Sequence, residues 1–328
     1  MDVHTPKLPK RLKITEGMIE DFLVDPVLAA YCIFGAKLDV FQAARLRLLW
    51  WIPEVIDSSG FSSGKTAIFW LYINLRVVLL GDHVAGVFYQ TFQTGKDTFW
   101  GYYNSKWAAH PVFHAQMGGM DESGNESKKN TKKGPSCYSA YFHNGSKVMM
   151  PAPSWMQDAR NIASMRLNTG AIDEWTKVEA GGGDGINSQF LGRITRENYN
   201  QHHPIWANHT KFIATAESQN HPAWRRYKTF IDRENKGDPN VAVISFNYKD
   251  YSDMSLGRGK TFKTQFRQQK QINQMHESLD RDHVLREMFG VWSRSGKGWY
   301  SQEAIDRAIA LGVSLGFEIE RDRALRNA

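Results

Sequence analysis

A Gly/Ser-rich loop that ends in a Gly-Lys-Thr triplet leaves this chain few folds to adopt. The loop spans residues 59–66 and lies between a strand-like run at 55–57 and an apolar run at 67–80. A strand, such a loop and a helix in this order form a cradle in which backbone N–H groups and the positive end of the helix bind phosphate. The sequence therefore predicts a phosphate-binding loop followed by a helix that begins at Gly64.

The side chains of the loop predict how a nucleoside triphosphate would be held. Lys65 is expected to bridge the β- and γ-phosphates, and the Thr66 hydroxyl to bind Mg²⁺. The eight-residue pattern normally opens with glycine, whereas here Ser59 takes that position. We expect the whole loop to contact the nucleotide: Ser59, Gly60, Phe61, Ser62, Ser63, Gly64, Lys65 and Thr66.

Length and composition favour a large α/β protein with a polyanionic partner. The chain has 328 residues, 41% of them hydrophobic, which is enough to bury a sizeable core. Lys and Arg (41) exceed Asp and Glu (34) by 7, a surplus compatible with binding to nucleic acid. No uninterrupted apolar run of about 18 residues occurs, so no membrane partner is expected.

Cysteines and histidines give no sign of a metal centre. Cys32 and Cys137 are far apart and lack metal-ligand spacing, so neither a disulfide framework nor a zinc site is indicated. This pattern is typical of a cytosolic protein. His202, His203 and His209 form a cluster without partners at ligand spacing, and we interpret them as surface residues.

Strand and helix signals alternate along the chain. Helices are predicted at 16–34, 41–51 and 64–80, and strands at 55–58 and 84–90. Helical stretches between strands imply crossover connections, and hence a largely parallel sheet covered by helices on both faces.

Two polar stretches interrupt this alternation. The segment 118–134 carries four lysines between residues 128 and 133, and is predicted to be a mobile surface loop, with DNA contact as an alternative. Asn144-Gly145, inside the alternating segment 138–150, predicts a β-hairpin.

Two further runs predict the rest of the site. Asp173 and Glu174 end a strand-like run, where Asp173 would hold the Mg²⁺ shell and Glu174 would activate an attacking water. An adjacent Asp-Glu pair is common on surfaces, so this prediction depends on its place after the phosphate loop. Thr215 follows the apolar run 211–214, at the strand end where doubly wound sheets bind ligands. We expect Thr215 to contact the γ-phosphate and sense its loss.

Together these motifs resemble the large terminase subunit of tailed bacteriophages, the ATPase that packages DNA into procapsids. Phe41-Gln42 lies where that family places its adenine-reading glutamine, Ile172 to Trp175 matches its acidic pair, and Ile213 to Ala216 its coupling motif. Residues 285–292, followed by Gly298-Trp299-Tyr300, resemble the signature that precedes the family's nuclease domain. The resemblance covers nearly the whole chain.

The resemblance implies a RecA-like, additional-strand P-loop ATPase, which is an α/β fold with a mostly parallel sheet and a small lid subdomain. Residues 1–35 would form an N-terminal arm and lid helices, and 36–250 the ATPase core. Residues 251–328 would form a lid and linker segment leading to a nuclease domain that is absent. We therefore expect an ATPase that uses ATP and Mg²⁺, contacts adenine through Gln42 and lacks nuclease activity, because the acidic residues after Tyr300 form no cluster.

The function implied by the resemblance is translocation of double-stranded viral DNA into a procapsid, driven by ATP hydrolysis. Its expected partners are double-stranded DNA, further copies of the chain in a ring, expected to be a pentamer on the portal, the portal protein, and a small terminase subunit. It would work in the host cell cytoplasm and dock transiently on the procapsid. Two alternatives stay open: a helicase-like, nucleic-acid-dependent ATPase, and a nucleotide-gated DNA-binding assembly protein with little turnover.

An arginine is missing where many members of that family carry one, because Phe61 stands in its place. A guanidinium against the γ-phosphate typically supplies a rate factor of roughly a thousand or more, so we expect a neighbouring subunit to provide it. Arg166 and Arg160, upstream of the acidic pair, are the first candidates for a catalytic arginine. Arg193, Arg196 and Arg258 are reserves.

Overall fold

The computed structural model describes residues 15–60, 63–118, 131–134, 137–151, 167–180, 203–246 and 281–293. Its helices are α1 (Glu16–Val24), α2 (Pro26–Phe34), α3 (Val40–Trp51), α4 (Lys65–Leu79), α5 (Phe92–Tyr103), α6 (Pro111–His114), α7 (Trp175–Ala180), α8 (Ala223–Asn235) and α9 (Arg281–Phe289). Its strands are β1 (Glu54–Asp57), β2 (Val84–Phe88), β3 (Thr131–Lys133), β4 (Cys137–Tyr141), β5 (Lys147–Pro151), β6 (Thr169–Asp173), β7 (His209–Ile213) and β8 (Val241–Ile244). Of these helices, none has the length and apolar character needed to cross a membrane.

The described strands form one sheet in the order β3-β4-β5-β2-β6-β7-β1-β8. All pairings from β5 to β8 are parallel, whereas β3, β4 and β5 pair antiparallel. Strand β7 lies between β1, which precedes the phosphate loop, and β6, which ends in the acidic pair. The predicted mostly parallel sheet, with a strand inserted between the two motif-bearing strands, is confirmed.

Both faces of the sheet are buried. Because side chains alternate along a strand, Val55 packs in one core with helices α1 to α5, and Ile56 packs in a second core with α8 and Trp292. Likewise, Ala171 packs in the first core and Ile172 in the second. Burial on both faces accounts for the apolar runs in the central strands, and it confirms the prediction that helices cover both sides.

Two predicted segments differ in detail. The helical stretch at 16–34 is two helices, because Asp25 ends α1 and its side chain caps α2, whose first residue is Pro26. The predicted loop at 118–134 includes β3, which pairs with β4 at the edge of the sheet. Lysines are common on edge strands, where their charge prevents further pairing. The polar composition that indicated a loop is therefore also compatible with an edge strand. The predicted hairpin around Asn144-Gly145 is confirmed by the pairing of β4 with β5.

Candidate active site

The phosphate loop leaves the carboxyl end of β1 and enters α4 at Lys65. Gly64 caps this helix with a φ of 74°, a left-handed conformation that glycine adopts without strain. Among the residues that the structure describes, no side chain caps the first turn of α4, and the backbone N–H groups of such a turn can bind an anion. Phe61 and Ser62 lie outside the described residues.

A cavity of about 560 Å³ opens at this end of the sheet, a size typical of small-molecule sites. Of the residues that the sequence predicts for nucleotide binding and chemistry and that the structure describes, it brings together most: Ser63, Gly64, Lys65, Thr66, Asp173, Glu174 and Thr215. The remaining lining residues are Ala67, Thr176, Lys177, Ala214, Glu217 and Glu287.

Thr66, in the first turn of α4, and Asp173, at the end of β6, both line the cavity and contact each other. The Thr66 hydroxyl donates to Asp173 Oδ2 at 3.1 Å. Burial raises the pKa of Asp173 to about 6, while the hydrogen bond from Thr66 acts in the opposite direction. Among the described residues no group of three or more His, Cys, Asp or Glu could hold a metal. A hydroxyl beside one carboxylate nevertheless fits Mg²⁺, which commonly takes one or two protein oxygens and completes its shell with water and phosphate.

Glu174 has an unusual backbone conformation. Its φ is 54°, in the left-handed region that residues other than glycine rarely adopt and that is concentrated at functional sites. Its N–H donates to Asp173 Oδ1 at 3.0 Å, which fixes the two acidic residues relative to each other. Its carboxylate lies 3.1 Å from the Lys177 ammonium, but both side chains are exposed to solvent, so this ion pair is weak. The Glu174 carboxylate is therefore accessible to a water molecule in the cavity.

Lys65 and Thr215 lie side by side although they are far apart in sequence. The Lys65 ammonium donates to the carbonyls of Ser59 and Gly60, and to Thr215 Oγ1 at 3.5 Å. Thr215 reaches this position because β7, which it follows, is parallel to β1 and ends at the same edge. It thus lies next to the group expected to bind the γ-phosphate.

Nucleotide affinity should fall at alkaline pH. Burial lowers the pKa of Lys65 to about 8, opposed by the Asp57 carboxylate and reinforced by Arg45. Bound phosphate favours the charged ammonium, so above this pKa the free protein must take up a proton in order to bind. Affinity for a fluorescent ATP analogue should change little between about pH 7 and pH 8, where Asp173 is ionised and Lys65 is charged, and fall by up to about tenfold per pH unit above pH 8. Equal affinities at pH values about one unit below and one unit above 8 would contradict this.

A buried ion pair behind the loop was not predicted from the sequence. Arg45 of α3 and Asp57 at the end of β1 are both fully buried, with Nε and Oδ2 2.6 Å apart. Arg45 also donates to the Ser63 carbonyl at 2.8 Å, and Asp57 accepts from the N–H of Ser59 at 3.1 Å and from its hydroxyl at 2.6 Å. One ion pair therefore holds the phosphate loop at its first residue, Ser59, and again at Ser63. The available signal was Asp57 itself, since an aspartate that ends a buried strand needs a partner.

Ser59 and Gln42 make structural contacts beside the cavity. Ser59 is buried, and its hydroxyl accepts from the Phe246 N–H at 2.9 Å, so it braces the loop from behind and does not line the cavity. Gln42 closes a capping box with Asp39 at the start of α3, where its Oε1 accepts from the Asp39 N–H at 3.1 Å. Its amide nitrogen approaches the loop, since a Cβ built on Gly64 would lie 3.3 Å from it. Adenine contact by Gln42 stays a prediction.

The turn after α9 packs directly on the phosphate loop. Gly290 has a φ of 63°, and a Cβ built on it would lie 2.6 Å from the Ser58 carbonyl oxygen. A Cβ on Gly60 would lie 2.4 Å from the Met288 carbonyl oxygen. Backbone therefore meets backbone here, and glycine is needed on both sides of the contact.

Gly290→Ala should destabilise the protein more than a matched change elsewhere. Gly237 is the control, because its φ of 78° imposes the same backbone strain while nothing lies within 4 Å of its added Cβ. Gly237→Ala should lower the free energy of unfolding by about 1 kcal/mol. Gly290→Ala should cost at least about 1 kcal/mol more, since a steric clash with backbone is added. Equal losses in a denaturant titration would contradict the close packing.

Several predicted residues lie outside the described part of the chain. These are the candidate arginines Arg160 and Arg166, the reserves Arg193, Arg196 and Arg258, and the acidic residues after Tyr300, so the predictions about them stay predictions. The surface interpretation is wrong for His209, which is buried at the start of β7 and lies 2.7 Å from the Tyr72 hydroxyl through Nδ1. His203 is exposed as predicted.

Sequence comparison finds no matching family model and no matching curated protein. Among solved structures, the chain is similar to the large terminase ATPase domain of Thermus phage P74-26, with a TM-score of 0.51 and 11% identity, over 86% of this chain and 100% of that one. A mutant of that domain, in which one arginine is replaced by alanine, gives a TM-score of 0.52 with the same identity and coverage.

The large terminase of a second phage, a thermophilic bacteriophage, is also similar, with a TM-score of 0.50 and 12% identity, over 79% of this chain and 54% of that one. The chain thus spans about half the length of this second terminase. At these identities the likeness bears on the fold alone. This chain has the fold of the ATPase domain of phage large terminases.

Proposed function

We propose that this protein is an ATP-hydrolysing motor that translocates double-stranded viral DNA, in the manner of a terminase large subunit. The observation that carries the proposal is the meeting of Lys65, Thr66, Asp173 and Glu174 in one cavity at the carboxyl edge of the sheet. The sheet order supports it, because β7 separates the two motif-bearing strands, and the terminase-like fold agrees with it.

Each residue of the cavity has a role in this proposal. Lys65 and the first N–H groups of α4 bind the β- and γ-phosphates. Thr66 and Asp173 would hold Mg²⁺, which when bound neutralises charge on the phosphate oxygens. Glu174 orients a water molecule and accepts its proton. Thr215, next to Lys65, contacts the γ-phosphate region.

The partners of the proposed motor follow from the same reasoning. A formal net charge of +7 supports binding to DNA through phosphates, without sequence preference. Further copies of the chain would form a ring on the portal of a procapsid, with a small terminase subunit recognising the DNA, in the cytoplasm of the host cell. In that ring an arginine of the adjacent subunit, with Arg166 and Arg160 as first candidates, would reach the γ-phosphate.

An ATPase assay with and without double-stranded DNA, paired with a strand-separation assay, tests the proposal. We expect turnover that duplex DNA stimulates, that Lys65→Ala abolishes, and that leaves the two strands paired. Separation of the strands would favour the helicase-like alternative. Nucleotide binding without turnover would instead favour a nucleotide-gated assembly protein.

A further inference from the structure

The segment that carries Thr215 lies just beyond the last hydrogen bond to the sheet. β7 ends at Ile213, and the last hydrogen bond to β1 is donated by the Ala214 N–H to the Asp57 carbonyl at 3.0 Å. Thr215 is the next residue, and its hydroxyl must stay beside the Lys65 ammonium. A second anchor is therefore needed on the far side of Thr215.

Residues that follow α9 supply backbone bonds to this segment. Ser293 donates its N–H to the Glu217 carbonyl at 3.2 Å and accepts from the Gln219 N–H at 2.7 Å. The Gln219 side chain donates to the Trp292 carbonyl at 3.2 Å. These bonds hold the chain on the far side of Thr215, two to four residues beyond it.

Helix α9 adds an ion pair to the same anchor. Arg286 Nη1 lies 3.0 Å from Glu217 Oε2, and the two side chains are only 18% and 30% exposed. The neighbouring Glu287 lines the nucleotide cavity, whereas Arg286 does not. Glu217 itself lines the cavity. The Arg286 guanidinium, which lies outside the cavity, therefore fixes the position of a residue in the cavity wall. Partial burial makes this pair stronger than an exposed one.

We propose that the ion pair between Arg286 and Glu217 holds Thr215 beside Lys65, so that Arg286 is a positioning residue for ATP hydrolysis. The inference rests on the proposed function, because it assigns a role in the same reaction. It predicts that loss of the pair lowers the rate of the chemical step while nucleotide affinity stays intact, since neither side chain of the pair belongs to the phosphate loop.

The test compares kcat and nucleotide Kd of the full chain and four variants: Arg286→Met, Arg286→Lys, Glu217→Gln and the double variant Arg286→Met/Glu217→Gln. We expect kcat to fall about tenfold in Arg286→Met and in Glu217→Gln, and the double variant to be no slower than either, because both changes break one pair. The Kd for a fluorescent ATP analogue should stay within about twofold. Arg286→Lys should recover part of kcat, since a single charged contact remains possible.

Arg233→Met is the control, because Arg233 is partly buried like Arg286 and pairs with Glu54, at the opposite end of β1, and with Asp238. Its kcat should equal that of the parent.

A second measurement is hydrogen exchange at the amides of Gln219 and Ser293, which should accelerate in Arg286→Met and not in Arg233→Met. An Arg286→Met kcat within about twofold of the parent, losses that multiply in the double variant, or unchanged exchange would each overturn the inference. Absence of turnover in the parent would instead refute the proposed function, and the positioning role would fall with it.

Discussion

Glu174→Gln should bind ATP as tightly as the parent and hydrolyse it at least about a hundredfold more slowly, because the amide cannot accept a proton from water. Lys65→Ala should lose both affinity and turnover, since the ammonium binds phosphate in the ground state as well as in the transition state. The two changes together separate binding from chemistry. Equilibrium titration with a fluorescent ATP analogue and a steady-state phosphate-release assay measure the two quantities.

Glu20→Gln is the control for this comparison, because Glu20 is an exposed carboxylate on α1 and far from the cavity in sequence. Its affinity and turnover should equal those of the parent. A Glu174→Gln rate within about threefold of the parent, less than roughly 1 kcal/mol in the barrier, would mean that another group activates the water.

Breaking the buried ion pair should have the largest effect on stability. Asp57→Asn removes the carboxylate that the Arg45 guanidinium contacts, and Arg45→Met removes the guanidinium from the buried Asp57 carboxylate. Each should lower the free energy of unfolding by about 3 to 5 kcal/mol. Nucleotide affinity should fall as well, because the pair holds Ser59 and Ser63 of the phosphate loop. Denaturant unfolding and nucleotide titration check the two effects.

Arg47→Met provides the control from the same helix. Arg47 pairs with Asp25 at 3.4 Å, but the two side chains are 52% and 42% exposed, so the loss should be below about 1 kcal/mol. The double variant Arg45→Met/Asp57→Asn should lose less than the sum of its single changes, because no unpaired charge remains buried. Equal destabilisation by Arg45→Met and Arg47→Met would contradict the bracing role of the buried pair.

The sequence predicts the fold because its main signals are local. Gly64-Lys65-Thr66 marks the junction of strand, loop and helix, and the apolar runs mark strands buried on both faces. The resemblance to large terminases implies the additional strand, and the sheet places Asp173 within hydrogen-bonding distance of Thr66. Parallel strands that end at the same edge of the sheet are enough to bring these residues together.

The sequence does not predict contacts that depend on another element. Arg45 and Arg47 are two residues apart on α3, yet Arg45 is buried against Asp57 of β1 and Arg47 is exposed, and no sequence pattern distinguishes their partners. Arg286 and Glu217 are 69 residues apart, and neither belongs to a motif that indicates its partner. Glu174 shows no sign in sequence of its left-handed backbone, which occurs at the junction between β6 and α7.

Displacement of a third strand from a DNA triplex tests translocation most directly, because a motor that tracks along duplex DNA removes the third strand without opening the duplex. The protein, assembled at high concentration with ATP and Mg²⁺, should displace a labelled third strand and leave the duplex intact, whereas Glu174→Gln should displace none. Steady ATP turnover without displacement, or separation of the duplex itself, would contradict the proposal that this chain is a translocating ATPase.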